Sequence, residues 1–173
     1  MMARATPSLS MRPMLPEDVP LLAQIFRASI EELGTEDYSD AQCEAWASAA
    51  DDEDAFGKRL GGQLTLIATM DGSPVGFASL KGKEHLDMVY VHPAAVGQGA
   101  ASMLVDALEK LAKARGASKL TVDASDTAHD FFKGRGYVAQ SRNTVLRGDE
   151  WLANTTMEKP LGADDSEQGK QVQ

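Results

Sequence analysis

A short run of glycines lies where a predicted strand is followed by the longest predicted helix. Glycines let an anion approach the backbone closely, and the first amides of a helix are unpaired and carry partial positive charge. The sequence therefore predicts a phosphate-binding turn, formed by Gly97, Gln98, Gly99, Ala100, Ala101 and Ser102. The alternative is that these glycines only turn the chain into the helix and bind no ligand.

Two classes of nucleotide-binding fold were compared with this turn. A P-loop is excluded, because no Gly-Lys pair in the chain is followed by Ser or Thr. A dinucleotide-binding fold stays open, since Asp123 follows Ser102 at about the 20-residue distance required of its ribose-binding acid. Against it, Ser102 stands where that fold has its third glycine, and antiparallel strands are predicted before the turn.

The elements around the turn predict a mixed α/β fold. Apolar residues three or four apart predict helices, and apolar runs bounded by glycine turns predict strands. The predicted helices are one that ends at Gly34, then 39–49, 97–115 and 126–133; the predicted strands are 10–14, 64–69, 75–80, 86–91, 119–124 and two that flank Arg147 and Gly148. This order excludes a regular alternation of strand and helix.

Length and composition indicate one globular domain. The 173 residues are 43% hydrophobic and 25% charged, and no apolar run approaches the roughly 18 residues of a membrane span. We expect a folded domain over residues 9–161, with disordered tails at 1–8 and 162–173. A secretory signal is lacking and Cys43 is the single cysteine, which predicts a cytoplasmic protein without disulfides.

Negative charge is concentrated in one segment. Of the 26 acids in this chain of net charge −9, ten lie between Glu31 and Asp54, where there is no Lys or Arg. Nucleic acids and anionic membranes bind clustered bases, so neither is an expected partner. The segment favours a cationic partner, or else it only solvates a helical surface. His92 and His129 lack metal-ligand spacing, and no metal is predicted.

Two motifs resemble the acetyl-CoA-binding half of the GNAT N-acetyltransferase superfamily. They are VHPAAVGQGAASMLVDALEKLAKARGASKLTVDAS and HDFFKGRGY. The turn of that family has Gln or Arg, two variable residues, Gly, a variable residue and then Gly or Ala. Gly99 and Ala101 match this pattern, and Val96 departs from it. The segments SMRPMLPEDVPLLAQIF, YSDAQCEAWAS, HLDMVYVHP and GDEWLANTTMEKPL extend the resemblance over nearly the whole ordered chain, most closely to the bacterial YafP-like branch.

The resemblance implies the GNAT fold and acetyl-CoA as co-substrate. That fold has a central, mostly antiparallel, twisted sheet of about seven strands, about four flanking helices and a splayed cleft for the cofactor. Residues 97–102 would hold the phosphates, and the backbone of Val89 and Val91 would hold the pantetheine arm. Ser125 stands near the expected thiol end, and Phe132 is expected to line the arm.

The activity implied by the resemblance is acetyl transfer to an amine, which must attack as the free base. With a pKa near 10.4 the neutral amine is disfavoured at pH 7 by roughly 4.6 kcal/mol, so a base is needed. Family members use a carboxylate on the fourth strand, often through water, and Asp87 fits this role. We expect Asp87 on the same strand face as Val89 and Val91, because side chains alternate, with His85 on that face as a second candidate.

The acid that protonates the departing thiolate is an open question. Family members often have a Tyr on the short helix where this chain has Phe132. A thiol with a pKa near 8.5 already leaves fairly well, so loss of this acid need not abolish activity. Transfer through an acetylated nucleophile would need Cys43, for which we favour a buried structural role.

Tyr38 and Trp46 are the predicted walls of the acceptor site, with core packing as the alternative for Trp46. With the acidic segment they suggest a small cationic or aromatic amine, or a peptide amine. Two other functions stay open: a non-catalytic acyl-CoA-binding regulatory domain and a dinucleotide-binding protein. The final strands around Trp151 could also pair between subunits in a homodimer.

Overall fold

A seven-stranded sheet with helices on both faces forms the protein, in a computed structural model that describes residues 8–162. Its strands are β1 (Leu9–Pro13), β2 (Leu64–Met70), β3 (Ser73–Lys81), β4 (His85–Val91), β5 (Lys119–Ser125), β6 (Val138–Arg147) and β7 (Glu150–Pro160). Its helices are α1 (Val19–Leu33), α2 (Asp40–Ala47), α3 (Glu53–Gly61), α4 (Ala100–Ala114) and α5 (His129–Gly134). Nearly all of both expected tails falls outside the described residues.

The sheet has the strand order β1-β2-β3-β4-β5-β7-β6. Every neighbouring pair among the described strands is antiparallel except β4 and β5, which confirms the mostly antiparallel fold predicted from the sequence. These two strands pair only near their starts, through His85 with Thr121 and Leu86 with Val122. Beyond those pairs they separate, and this opening is the expected splayed cleft.

Backbone groups of β4 point alternately toward β3 and toward the opening. On the β3 side, the His92 amide donates to a β3 carbonyl at 2.8 Å, and the Tyr90 carbonyl faces Gly76. A Cβ on Gly76 would lie 3.0 Å from that carbonyl, so glycine permits the close approach of the two strands. Because successive residues alternate, the backbone groups of Val89 and Val91 face the opening.

Helices on the two faces bury two separate apolar clusters. The cluster under α1, α2 and α3 includes Phe26, Ile30, Phe56, Phe77 and Met88. The cluster under α4 and α5 includes Leu86, Leu104, Leu108, Leu120 and Phe132. Within residues 8–162 no helix is both long and apolar enough to cross a membrane.

A bulge in β4 interrupts the alternation of its side chains. Leu80 of β3 pairs with Leu86, and the preceding Ser79 pairs with Met88, so Asp87 is an extra residue in β4. As a result Leu86 packs in the cluster under α4, whereas Met88 packs in the cluster under α1. The alternation of side chains between the two faces of the sheet is therefore interrupted between Leu86 and Met88.

This bulge corrects one expectation from the sequence. Asp87 was expected on the same face as Val89 and Val91, and so was His85. Val89 and Val91 pack against the cluster under α4. Asp87 instead bonds to α3 on the opposite face, and His85 lies opposite its neighbour Leu86 on the same side as Asp87. The two candidate bases and the two cofactor positions therefore lie on opposite faces of the sheet.

Helix α3 is absent from the sequence prediction. It begins after Asp52, whose side chain accepts a hydrogen bond from the Ala55 amide at 3.1 Å. Phe56 and Leu60 are its only buried residues, and two such positions in a polar, glycine-containing segment make a weak periodic signal. The helix matters for the site because it carries Arg59.

Candidate active site

Two cavities meet where β4 and β5 separate. The first, termed the polar cavity, has a volume of about 170 Å³ and includes Arg59, His85, Asp87, Asp123 and Arg147 in its lining. The second, termed the apolar cleft, has a volume of about 150 Å³ and includes Ile30, Leu33, Val91, Ala101 and Phe131. Both are lined by Trp46, Val89, Tyr90, Ser125, Ala128 and Phe132, which together are called the junction. Ligands in the two cavities can thus meet at the junction.

The glycine turn lies at the α4 end of the apolar cleft. Gly97 and Gly99 have φ angles of 86° and 91°, which L side chains rarely adopt. The first intrahelical bond of α4 runs from the Met103 amide to the Gly99 carbonyl at 3.0 Å. The amides of residues 100–102 therefore have no intrahelical acceptor and are able to bind an anion, with Ala101 also lining the cleft.

Asp87 is held by a three-bond clamp. Its carboxylate accepts from Arg59 Nε at 2.9 Å, from Arg59 Nη2 at 3.1 Å and from Gln63 Nε2 at 2.8 Å. Burial alone would raise the pKa of Asp87, but the bonds from Arg59 and Gln63 outweigh it and the net pKa lies below its usual range. Asp87 is therefore an ionised, weakly basic group, which makes it a poor acceptor for an amine proton.

His85 is the less constrained candidate base. Its Nδ1 lies 2.8 Å from Thr121 Oγ1, which in turn lies 3.3 Å from the Glu84 carbonyl oxygen. This geometry allows Nδ1–H to donate to the hydroxyl while the hydroxyl donates to the carbonyl. Nε2 is then left with a lone pair, 3.9 Å from Asp123 Oδ2. A neutral His85 of this tautomer can accept a proton at Nε2.

Asp123 lies beside His85 in the polar cavity. It accepts a hydrogen bond from Thr156 Oγ1 at 2.7 Å. The dinucleotide alternative requires this acid to reach a ribose bound at the glycine turn, but Asp123 lines the polar cavity and does not line the apolar cleft that the turn adjoins. Its position therefore favours interaction with His85 or with a ligand of the polar cavity.

Tyr90 presents a hydroxyl at the junction. Its oxygen accepts a hydrogen bond from Trp46 Nε1 at 3.2 Å, and no group among the described residues accepts the hydroxyl proton. Burial raises the pKa of Tyr90 to about 12, so the hydroxyl stays protonated near neutral pH. Phe26 and Phe77 hold the ring in place, with ring centroids 4.6 and 5.7 Å away. Tyr90 is thus a fixed hydrogen-bond donor between the two cavities.

Tyr38 and Trp46, the predicted acceptor walls, both line the polar cavity. The Tyr38 hydroxyl donates to the Ala153 carbonyl at 2.6 Å and accepts from the Asp126 amide at 2.9 Å. The Tyr38 proton is already engaged by that carbonyl, and the side chain forms part of the cavity wall. Trp46 is half-buried, and its indole N–H is the group that orients Tyr90.

Half of the expected cofactor residues line the two cavities. Val89, Ser125 and Phe132 lie at the junction, and Val91 lies farther along the apolar cleft. The Ser125 hydroxyl accepts from the Ala128 amide at 3.1 Å. The turn residues outside the cleft lining are Gly97, Gln98, Gly99, Ala100 and Ser102. Cys43 is buried, has a pKa raised by burial, and lines neither cavity.

Sequence reasoning missed three residues of the site. Arg59 lies in the unpredicted helix α3, and Arg147 was noted only as part of a turn. Tyr90 was overlooked because strict alternation placed the chemistry on the odd-numbered residues of β4. A signal for it was present, since Tyr90 directly follows Val89, a residue already assigned to the cofactor.

A model of the acetyltransferase (GNAT) domain matches residues 34–161. The chain belongs to the GNAT acetyltransferase family. This GNAT protein is 31% identical over 150 residues to the uncharacterized N-acetyltransferase YafP of Escherichia coli K12, a match that covers 87% of this chain and 95% of YafP. The resemblance seen in the sequence motifs is confirmed, and the protein is an acetyltransferase.

Solved structures share the fold. A GCN5-related N-acetyltransferase of Rhodopseudomonas palustris is 64% identical, with a TM-score of 0.86 over 92% of this chain and 99% of that chain. PaiA N-acetyltransferase of Thermoplasma acidophilum, solved with coenzyme A, has a TM-score of 0.72 at 19% identity over 88% and 99% of the two chains. YncA of Salmonella typhimurium, solved with acetyl-CoA, has a TM-score of 0.61 at 18% identity over 90% and 95%. The last two comparisons support the fold alone.

Proposed function

We propose that this GNAT protein transfers an acetyl group from acetyl-CoA directly to a primary amine of a small molecule or peptide. The observation that carries the proposal is the junction, where a polar cavity suited to an amine meets an apolar cleft suited to a pantetheine arm. An amine in the first and a thioester in the second would lie side by side. No covalent acetyl-enzyme is then needed, in agreement with the position of Cys43 outside both cavities.

Acetyl-CoA is the co-substrate that fits the apolar cleft. The unpaired amides of residues 100–102 suit its pyrophosphate, and the β4 backbone at Val89 and Val91 faces the opening that would receive the pantetheine arm. Val96 is exposed and carries no charge, so phosphate binding at the turn would depend on the backbone. PaiA with coenzyme A and YncA with acetyl-CoA support this assignment at the level of the shared fold.

His85 is the proposed proton acceptor. The amine nitrogen attacks the thioester carbonyl carbon as its proton passes to Nε2 of His85, directly or through water. The imidazolium that forms lies 3.9 Å from the Asp123 carboxylate and close enough to Asp87 for their charges to interact. Two carboxylates are thus placed to interact with the positive charge that develops on the ring. Asp87, the base expected from the sequence, acts in this proposal as one of these two charges.

The departing sulfur is the second site of charge development. As the C–N bond forms, the C–S bond breaks, and the electron pair leaves with sulfur as a thiolate. Tyr90 donates its free O–H to that sulfur from the junction, where Phe132 has no hydroxyl to offer. Ser125 also lies at the junction, but an alcohol is a weaker acid than a phenol. Backbone amides of β4 at the opening polarise the carbonyl.

The sequence also left open a non-catalytic acyl-CoA-binding domain, which membership of the acetyltransferase family disfavours. Phe132 at the position of the usual tyrosine and the exposed Val96 in the phosphate turn favour it. Both candidates predict binding of acetyl-CoA, and only the first predicts acetylation of an amine.

A ligand titration followed by a transfer assay tests the proposal. At 100 times their dissociation constants, acetyl-CoA and CoA each add about 2.7 kcal/mol and should raise the Tm of the full chain by roughly 5–10 °C. NAD and NADP should give no shift. Incubation of acetyl-CoA with a panel of primary amines should then release CoA and form an N-acetyl product detected by mass spectrometry. Binding without any product would support the regulatory domain, and a shift with NAD alone would contradict both candidates.

A further inference from the structure

We propose that the polar cavity contains an anion-binding corner at Arg147 and that the acceptor amine therefore also carries a carboxylate. The inference rests on the proposed function and names the substrate class of the same site. The polar cavity is lined by four charged side chains and by the titratable His85; the four are Arg59, Asp87, Asp123 and Arg147.

Arg59 and Asp87 neutralise each other. Their guanidinium and carboxylate groups are joined by two hydrogen bonds of 2.9 and 3.1 Å. Asp123 lies beside His85. Arg147 has no ion-pair partner within the described part of the chain, and its only hydrogen bond there runs from Nη1 to the Leu146 carbonyl at 3.1 Å. Arg147 is thus the cation of the polar cavity that no carboxylate among the described residues pairs.

The hairpin that carries Arg147 is anchored against α2. A Cβ on Gly148, at the turn, would lie 3.8 Å from the Ala45 Cβ, so the turn packs on the helix. Gln42 of α2 donates to the Trp151 carbonyl at 2.8 Å. Arg147 is thus held at the cavity by the fold, although its side chain is exposed.

The charge of Arg147 acts electrostatically on a group that lines the cavity. It acts on the Tyr90 hydroxyl, whose pKa it lowers in opposition to the larger effect of burial. Arg147 and Tyr90 line the same cavity, so an anion held by the guanidinium would share that cavity with the hydroxyl at the junction. A guanidinium binds a carboxylate through two parallel hydrogen bonds, which fixes orientation as well as charge.

The acidic segment does not place negative charge in the acceptor site, so it does not favour a purely cationic acceptor. None of its ten acids, from Glu31 to Asp54, lines either cavity; the segment contributes Tyr38, Trp46 and Ala49 to the polar cavity instead. These side chains and Phe26 give the cavity an apolar wall. An amine with a compact apolar body and a carboxylate, as in an α-amino acid, matches the wall, the free guanidinium and the proton acceptor together.

Binding of matched acceptor pairs tests this inference without requiring turnover. Titration calorimetry of the CoA-saturated full chain would compare phenylalanine with phenethylamine and tryptophan with tryptamine, since the members of each pair differ only in the carboxylate. We expect the carboxylate member to bind roughly tenfold or more tightly. Arg147→Gln should reduce that preference to near unity, whereas Arg115→Gln, at the far end of α4 and outside both cavities, should preserve it.

The outcomes separate the inference from the proposed function. Equal affinity within the pairs, absent binding of the carboxylate members, or an unchanged preference in Arg147→Gln would overturn the anion-binding corner. Tight, Arg147-dependent binding of the carboxylate members would support it even if no N-acetyl product forms. In that case the absence of an N-acetyl product would count against the proposed acetyl transfer and not against the anion-binding corner.

Discussion

His85→Gln should lower kcat for amine acetylation at pH 7 by about 10²- to 10⁴-fold, the usual contribution of a general base. Glutamine is close to histidine in size but cannot accept a proton at neutral pH. The amine would then have to lose its proton to solvent before it attacks. His85 pairs with Lys81 and Thr121 along the strands, and the substitution leaves this strand pairing in place. Acetyl-CoA should still bind, since His85 does not line the apolar cleft.

The pH dependence distinguishes a lost base from a disturbed fold. Below the amine pKa near 10.4, each added pH unit gives tenfold more free amine. The deficit of His85→Gln relative to the wild type should therefore shrink as the pH rises from 7 to 9. His129→Gln is the matched control, because His129 lines neither cavity and should keep wild-type kinetics. A deficit that is constant with pH would count against His85 as the proton acceptor.

Asp87→Asn provides the decisive comparison between the two candidate bases. Asp87 is clamped by Arg59 and Gln63, so its loss should remove one stabilising charge from the imidazolium and reduce kcat roughly tenfold. If Asp87→Asn abolished turnover while His85→Gln retained it, the base would be Asp87, as the sequence alone suggests. Initial rates of both variants, measured at one pH and with one amine, would show which substitution lowers kcat more.

Tyr90→Phe should lower kcat by roughly 10- to 100-fold with little change in the KM for acetyl-CoA. A hydrogen bond to a charged group contributes about 1.5–3 kcal/mol, and here the charge develops on sulfur only as the reaction proceeds. The ring contacts with Phe26 and Phe77 survive the substitution. The loss should therefore appear in kcat, measured by release of CoA at saturating acetyl-CoA and amine.

Tyr137→Phe is the matched control for Tyr90. Its hydroxyl donates to Glu109 Oε2 at 2.8 Å beneath α4, and the residue lines neither cavity. Removal of that buried bond should lower the Tm while kcat stays at the wild-type value. If Tyr90→Phe likewise lowered the Tm alone, the Tyr90 hydroxyl would have only the structural role of accepting from Trp46.

The fold was largely predictable from local patterns. Apolar runs and turn residues located all seven strands and four of the five described helices. Most of these elements bury an apolar stripe or face, whereas β6 has no buried residue and was located from the turn at Arg147 and Gly148. Helix α3 was not predicted, because its position depends on a single cap at Asp52 and two buried side chains, Phe56 and Leu60. The helix predicted over 97–115 begins at Ala100 and not at Gly97, since both turn glycines adopt positive φ angles.

The site was only partly predictable. Motif spacing located the phosphate turn and the β4 residues Val89 and Val91, because those positions depend on backbone geometry. The roles of Asp87 and His85 depend on a bulge and on a salt bridge to α3, which are tertiary features without a signature in a single sequence. Tyr90 acquires its donor role from Trp46, a partner 44 residues away in the chain.

Direct transfer requires both substrates to be bound together at the junction. Initial rates measured with acetyl-CoA and amine varied against each other test this most directly. We predict double-reciprocal lines that intersect, because a ternary complex precedes transfer. Parallel lines, together with an acetylated protein when acetyl-CoA is supplied without amine, would show a covalent intermediate and contradict direct transfer.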